Sequence, residues 1–360
     1  MIWIAHIFFL SILLIIARYF KNEKIFIYSS FIYILFVYGQ RWLSGTDFPN
    51  YLLYYLTSFT RRTEFLYFGL QELLATHNIY FGLFIFLILF IIMHNYYSFF
   101  KKIDKQVVMM IALFLFSEIF VAQLSQLRQY VAVSFFTLAF YYMFQQKYFK
   151  TVIHIILAAG FHMSAIFMSI FLFLKMKISR KVALILVGIS LMLPLINIQF
   201  IFNLSIFSRY ASYLDSVYNV GLSPFHLAKF YGLALVALYY ILKIDKFNET
   251  TIERMILNGM LLNILLYGMS FQFALLIRVS AYFKVFEIVF LVYYADRLKG
   301  TSTRLIQTVV VLFFLGIFGG IILTDPYDIY PYEFEPLRLF EKRPKPVVRR
   351  EVDRFYLMRE

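Results

Sequence analysis

The stretch TVIHIILAAGFHMSAIFMSIFLFL, residues 151–174, is apolar along most of its length, yet Gly160 and His162 interrupt it and the basic KMKISRK, residues 175–181, comes directly after. A membrane-spanning helix needs about 20 mainly apolar residues. Whether 151–174 crosses therefore decides the path of everything after it. Other segments of that length and character lie near 2–20, 25–43, 79–98, 107–123, 127–145, 182–202, 225–242, 255–273, 279–296 and 305–323. With Arg18–Lys24 inside and each span reversing the chain, KKIDK (101–105) and QQKYFK (145–150) also fall inside. A full crossing by 151–174 would put Lys175, Lys177, Arg180 and Lys181 outside and invert every later basic loop. Short basic loops favour the cytoplasmic side. The charge pattern thus predicts a broken, re-entrant pair of half-helices around Gly160–His162, which returns KIDKFNETTIER (243–254) and DRLKGTSTR (296–304) to the inside. Irregular backbone at that depth is tolerated where it lines a polar cavity or is buried in protein.

Composition points the same way. Of 360 residues, 62% are hydrophobic and only 15% charged, against roughly 25% charged in a soluble domain. The bilayer is the solvent such a chain requires. The expected fold is an all-α, polytopic integral membrane helix bundle with about 10–12 spans, counting the broken segment. Residues 1–323 form the transmembrane domain and 324–360 a tail, acidic and aromatic in DPYDIYPYEFEP and basic from Arg338, expected on the extracytoplasmic side. The opening MIWIAHIFFLSILLIIARYFKNEK has no basic start and no A-x-A-like site, so it reads as a retained first helix. Absence of cysteine removes disulfides, thiolate nucleophiles and thiolate metal sites. The net charge of +14 fits basic cytoplasmic loops, and no nucleic-acid motif accompanies it.

On this topology the polar features gather on one face: GTDFPNYLLYY (45–55) with TRRTE (60–64), QLSQLRQ (123–129), the 203–224 loop, FQFALLIRVS (271–280) and the tail. Ionisable groups in membrane segments are costly and point to function. In QLSQLRQ, Arg128 stands with Gln123, Gln126 and Gln129, which fits either a hydrogen-bonding pocket or a short turn wetted at the interface. Arg128, Arg278 and Arg209 offer planar forks that match phosphate oxygens; interfacial anchoring is the alternative for each. His162 sits in the break and is suited to act as a general base, or to pack as an ordinary hydrogen-bonded histidine. Asp47, between Gly45 and Pro49, either caps the stretch near Asn50 or orients a sugar hydroxyl or an arginine. No carboxylate or histidine accompanies it at metal-ligand spacing. There is neither a DxD pair nor a Gly-rich phosphate loop, so direct nucleotide use is not expected.

Taken in order, GTDFPNY, QLRQYVAVSFFTLAFYY, KYFKTVIHIILAAGFHMSAIF and RVSAYF resemble the EpsG family, Wzy-like membrane proteins of exopolysaccharide, capsule and O-antigen assembly. The likeness runs over about residues 35–335 and includes the late YPYEF. It implies a GT-C-like polymerase architecture in the bacterial inner membrane, with the active site on the extracytoplasmic face. The implied reaction transfers a growing glycan from undecaprenyl diphosphate onto a lipid-linked repeat unit, with no cofactor and no metal, and with a chain-length regulator as a further partner. The G-x-D pattern falls on Gly45 and Asp47, with Tyr51 next in line. RQ-x-x-A falls on Arg128, Gln129 and Ala132, FH-x-S on Phe161, His162 and Ser164, and R-x-x-x-Y-F on Arg278, Tyr282 and Phe283. Under that resemblance His162, Asp47, Arg128 and Arg278 are the catalytic candidates. Gln123, Gln126, Gln129, Tyr51, Arg209 and Tyr282 are the substrate-binding candidates. A lipid-linked oligosaccharide flippase, or another polyprenyl-lipid-dependent transferase or ligase, is the competing reading.

Overall fold

A computed structural model of the chain describes residues 2–57, 62–103, 106–173, 175–196, 224–244, 249–274, 276–295, 303–330 and 332–334, with single positions at 247, 297, 350 and 353. The fold is the expected all-α membrane bundle. Its helices are α1 (Ile2–Tyr19), α2 (Glu23–Val37), α3 (Phe48–Thr57), α4 (Phe65–Thr76), α5 (Phe81–Ile103), α6 (Val107–Leu115), α7 (Glu118–Ser125), α8 (Leu127–Phe144), α9 (Tyr148–Phe161) and α10 (Ser164–Met168). They continue as α11 (Arg180–Met192), α12 (Pro224–Lys243), α13 (Thr251–Ser270), α14 (Leu276–Ser280), α15 (Val285–Ala295) and α16 (Thr303–Thr324). Two short strands, β1 (Arg41–Trp42) and β2 (Glu333–Phe334), pair antiparallel with Arg41 opposite Phe334.

Each of the ten apolar segments read from the sequence carries helix. Among the described residues, four helices are long and apolar enough to cross a membrane alone: α1, α5, α12 and α16. A fifth span is reached if α6 and α7 count together, and they are bent by 54°. Several of the ten segments are divided rather than single long helices, for local reasons. Helix α2 gives way to a turn before β1, and the 279–296 segment is divided by the turn between α14 and α15. The 107–123 segment, read as one span, breaks at Phe116–Ser117. There the Ser117 side chain caps α7 by accepting from Phe120 N, and the buried His6 ring donates through Nε2 to Leu115 O at 3.1 Å. A bend in an apolar setting persists only when its freed backbone groups find such partners. The break expected in 151–174 falls where Gly160 and His162 stand: α9 ends at Phe161 and α10 begins at Ser164.

The chain forms two compact units: Met1–Ala139 with Phe149–Phe167 and Phe318–Glu360, and Phe140–Tyr148 with Met168–Ile317. In the first unit, the start of the tail is an integral part. Gly45 N donates to Asp328 O (2.9 Å), Thr46 N to Tyr327 O (3.0 Å), Tyr327 OH to Glu118 Oε1 (2.9 Å) and Tyr332 OH to Val37 O (2.6 Å). Asp325 closes the turn by accepting from Ile329 N and Tyr330 N.

The second unit is built around α13, whose start is fixed by a capping box between Thr250 and Glu253. Its polar centre is Glu287 on α15. One carboxylate oxygen accepts from Asn263 Nδ2 at 3.0 Å, and the other lies 3.4 Å from Lys229 Nζ on α12. Lys229 and Lys284 both approach the Tyr267 ring, at 5.5 and 5.7 Å. Removing one member of a sealed ion pair costs more than removing both. Glu287→Leu is therefore expected to destabilise the protein by about 3 kcal/mol, and Glu287→Leu combined with Lys229→Met by distinctly less. Thermal unfolding of the three proteins in detergent reads the difference.

Candidate functional site

The site begins with residues 41–47. Arg41 is buried and donates from Nη1 to Tyr38 O (2.9 Å) and from Nη2 to Leu124 O (2.6 Å). Both carbonyls lie at helix C-terminal ends, α2 and α7, where backbone dipoles leave partial negative charge and unpaired acceptors. One guanidinium thus ties the end of α2 to the last turn of α7. Gly45 then passes so close to Ser125 that an added Cβ would lie 2.9 Å from Ser125 Cα and 3.0 Å from Leu124 O. Its φ of +102° is also one that side-chain-bearing residues rarely adopt. Thr46 Oγ1 and Ser125 Oγ share a hydrogen bond of 2.8 Å. The G-x-D segment is held against the turn that launches α8.

Arg128 emerges from the first turn of α8. Its Nη1 donates to Glu64 Oε2 at 2.7 Å, and its guanidinium carbon lies 5.5 Å from the Tyr51 ring centre and 5.9 Å from those of Tyr67 and Phe68. Glu64 is the last residue of a short 3-10 turn, 62–64, that leads into α4. Its second oxygen, Oε1, lies 2.7 Å from His162 Nδ1. His162 reaches it because α9 packs closely on the first turn of α4. A Cβ on Gly160 would meet Leu66 Cδ1 at 2.6 Å and Phe65 Cε1 at 3.1 Å. The side chain of Glu64 is only 6% exposed, whereas those of Arg128 and His162 are 19% and 28% exposed. The carboxylate is sealed behind two groups that a ligand can touch.

Burial alone would raise the Glu64 carboxyl, but its bond to His162 and the charge of Arg128 outweigh that and hold it below the usual carboxylate range. Tyr51, buried, gives its hydroxyl to Asp47 Oδ2 at 3.1 Å. Burial and the neighbouring Asp47 charge both push that phenol up, so it stays protonated.

Four of the sequence candidates, Asp47, Tyr51, Arg128 and His162, therefore belong to one connected cluster. The three glutamines have different settings. Gln123 is fully buried, with Nε2 on Met93 Sδ at 3.6 Å; Gln126 closes α7; Gln129 is buried in the first turn of α8. Arg278 is exposed on α14 and Tyr282 is buried in the turn before α15, both in the second unit. Arg209 lies outside the described residues. Glu64 was not singled out from the sequence. In TRRTE it follows two arginines and reads as half of a surface ion pair, and nothing local signals partners 64 and 98 residues away. Among the described residues no group of three His, Asp or Glu side chains stands close enough to hold a metal ion.

The sequence from residue 24 to 334 matches the EpsG family model. The chain belongs to the EpsG family. That family is of polysaccharide-polymerase type, with glycosyltransferase-like activity, and with the apolar helices above it makes this EpsG protein a multi-pass membrane protein of polysaccharide biosynthesis. No curated protein and no solved structure matches the chain. The cluster gives the G-x-D of residues 45–47 a physical reason: the glycine permits the approach to Ser125, and the aspartate accepts from Tyr51 beneath Arg128.

Gly45→Ala tests this anchoring. Strain at a positive φ, added to a backbone clash, is expected to cost about 1–3 kcal/mol. The melting temperature in detergent should fall, while Gly69→Ala, inside α4 and meeting nothing within 4 Å, should not lower it and should raise it slightly.

Proposed function

We propose that this EpsG protein is the repeat-unit polymerase of a surface polysaccharide (O-antigen, capsule or exopolysaccharide). In this reading it works in the bacterial cytoplasmic membrane and opens its site to the extracytoplasmic face. It transfers a growing glycan from undecaprenyl diphosphate onto a lipid-linked repeat unit, and a chain-length regulator is its expected protein partner. The observation that carries the reading is the meeting of Arg128 and His162, both partly exposed, on one buried carboxylate in a chain of this family.

The chemistry needs two things. An acceptor hydroxyl must lose its proton as its oxygen attacks the anomeric carbon, and the diphosphate must be stabilised as it leaves with the bonding pair. His162 is the base and takes that proton. Arg128, held over three aromatic rings, presents a fixed charge to the leaving diphosphate, the kind of preorganised electrostatics that lowers such barriers. Arg278 and Arg209 keep only the role that the sequence resemblance gives them, further cations for the diphosphate; arginines in such roles make a metal dispensable. Asp47 acts through Tyr51, which, with Gln126 and Gln129, is assigned to sugar or lipid-headgroup binding; Tyr282 keeps only the binding role that the sequence resemblance gives it.

The test is a reconstituted reaction with defined polyprenyl-diphosphate repeat units, run with and without chelator. Ladders of increasing length in both are expected. Arg128→Lys should shorten the ladder at unchanged protein level, with a rate loss of about 100-fold from the broken fork geometry, and His162→Ala should lose about 100-fold or more. A ladder of wild-type length from Arg128→Lys would remove Arg128 from the diphosphate. Transbilayer movement of single repeat units without polymer would instead make the protein a flippase.

A further inference from the structure

Glu64 gives one oxygen to each of the two groups that the polymerase reading uses: Oε2 to Arg128 and Oε1 to His162, both at 2.7 Å. Water barely reaches it, and the close packing of α9 on the start of α4 fixes the backbone on either side. We propose that Glu64 is the positioning residue of this site, holding His162 with its proton on Nδ1 so that Nε2 is the atom that accepts the acceptor's proton. The assignment rests on the polymerase reading for its function, but its geometry stands on the contacts themselves.

An ionised carboxylate can only accept. With Arg128 Nη1 on one oxygen, the other must receive a proton from His162, and Nδ1 is the nitrogen it meets. A neutral imidazole carries one N–H, so Nε2 is then left with the lone pair. This is the same logic by which a buried acid sets the tautomer of a catalytic histidine in hydrolases.

The charges nearby make the proton count. Arg41, Arg128, Asp47 and Glu64 all act electrostatically on the Tyr67 hydroxyl. Two guanidiniums and two carboxylates sum to zero. Among the described side chains these four charges balance, and the cluster gains one positive charge when His162 takes the proton. In that step the acceptor O–H bond breaks, its oxygen bonds the anomeric carbon, and the bond from that carbon to the diphosphate oxygen breaks with its pair on the phosphate. The site gains positive charge as its leaving group gains negative charge. The proton then passes from Nε2 to the departed diphosphate or to water, and the site resets with no further reactant.

Glu64→Gln separates positioning from packing, because it keeps the shape. Arg128 still needs an acceptor and takes the amide oxygen, which turns the amide NH2 toward His162 Nδ1 and forces the proton onto Nε2. In the full chain in lipid nanodiscs with 15N-labelled histidine, and with His162→Asn to assign the signal, the wild-type neutral ring is expected to be protonated at Nδ1. The Glu64→Gln ring should be protonated at Nε2, and Glu64→Asp should return it to Nδ1. In the reconstituted reaction Glu64→Gln should lower kcat about 100-fold with KM for the lipid-linked acceptor within about threefold. A wild-type ring protonated at Nε2, or a Glu64→Gln protein with wild-type kcat, overturns the proposal. Failure of the wild-type protein to make any polymer overturns the polymerase reading instead, and the tautomer result still decides whether Glu64 sets the proton.

Discussion

One carboxylate, Glu64, joins three parts of the chain that have no local reason to meet. Arg128 lies 64 residues away and His162 lies 98 residues away, and both bonds are charge-assisted in geometry and length. Each partner arrives by its own device. Arg128 is set by the turn between α7 and α8, which Arg41 and Gly45 hold from the other side. His162 is set by the end of α9, which can approach α4 because position 160 has no side chain. The interaction is thus less a cause of the fold than the point where several close approaches converge.

The two units use the same polar arrangement to different ends. In the second unit Glu287 also serves two partners, Asn263 and Lys229, but the ion pair is sealed at 3% and 4% exposure. In the first unit only the carboxylate is sealed, while the cation and the imidazole remain open at 19% and 28%. A sealed pair stabilises or specifies packing, and a ligand cannot reach it. Partly open partners on a buried acid are what acid–base work requires, since the acid tunes groups that still touch a substrate. Exposure, more than charge, separates the Glu64 cluster from the sealed core pair.

Much of this was legible in the sequence and the rest could not have been. Apolar runs of spanning length and the scarcity of charge announced a helical membrane bundle, and the interruption at Gly160–His162 marked a real break in the helix. Arg128, His162 and Asp47 stood out because polar groups in such surroundings need a reason, and Tyr51 came only with the family resemblance. The bend at Phe116–Ser117 did not stand out. Its signal is one serine in an apolar run, and the partner that satisfies it, His6, lies more than a hundred residues earlier. Arg41 was hidden for a related reason: at the end of an apolar segment it reads as an interfacial anchor, whereas its guanidinium is buried on two helix-end carbonyls. Glu64 was masked by the arginines before it in TRRTE. Pairings between distant segments leave no periodic trace, so a single sequence shows the groups but not their partners.

The tail is hidden in the same way, because its partners also lie far along the chain. Read as a sequence, DPYDIYPYEF is an acidic, aromatic extension of a finished bundle. Folded, its backbone carbonyls at Tyr327 and Asp328 are the acceptors for Thr46 and Gly45, and β2 is the only strand that pairs with β1 among the described residues. The hydroxyls of Tyr327 and Tyr332 are already committed to Glu118 and to Val37 O. Residues 41–47 are therefore gripped on one side by the α7–α8 turn and on the other by the tail, and Arg128 lies just beyond that turn. The tail belongs to the support of the cluster, which is complete in the first unit only when the chain has returned, after the whole second unit, to close over Gly45.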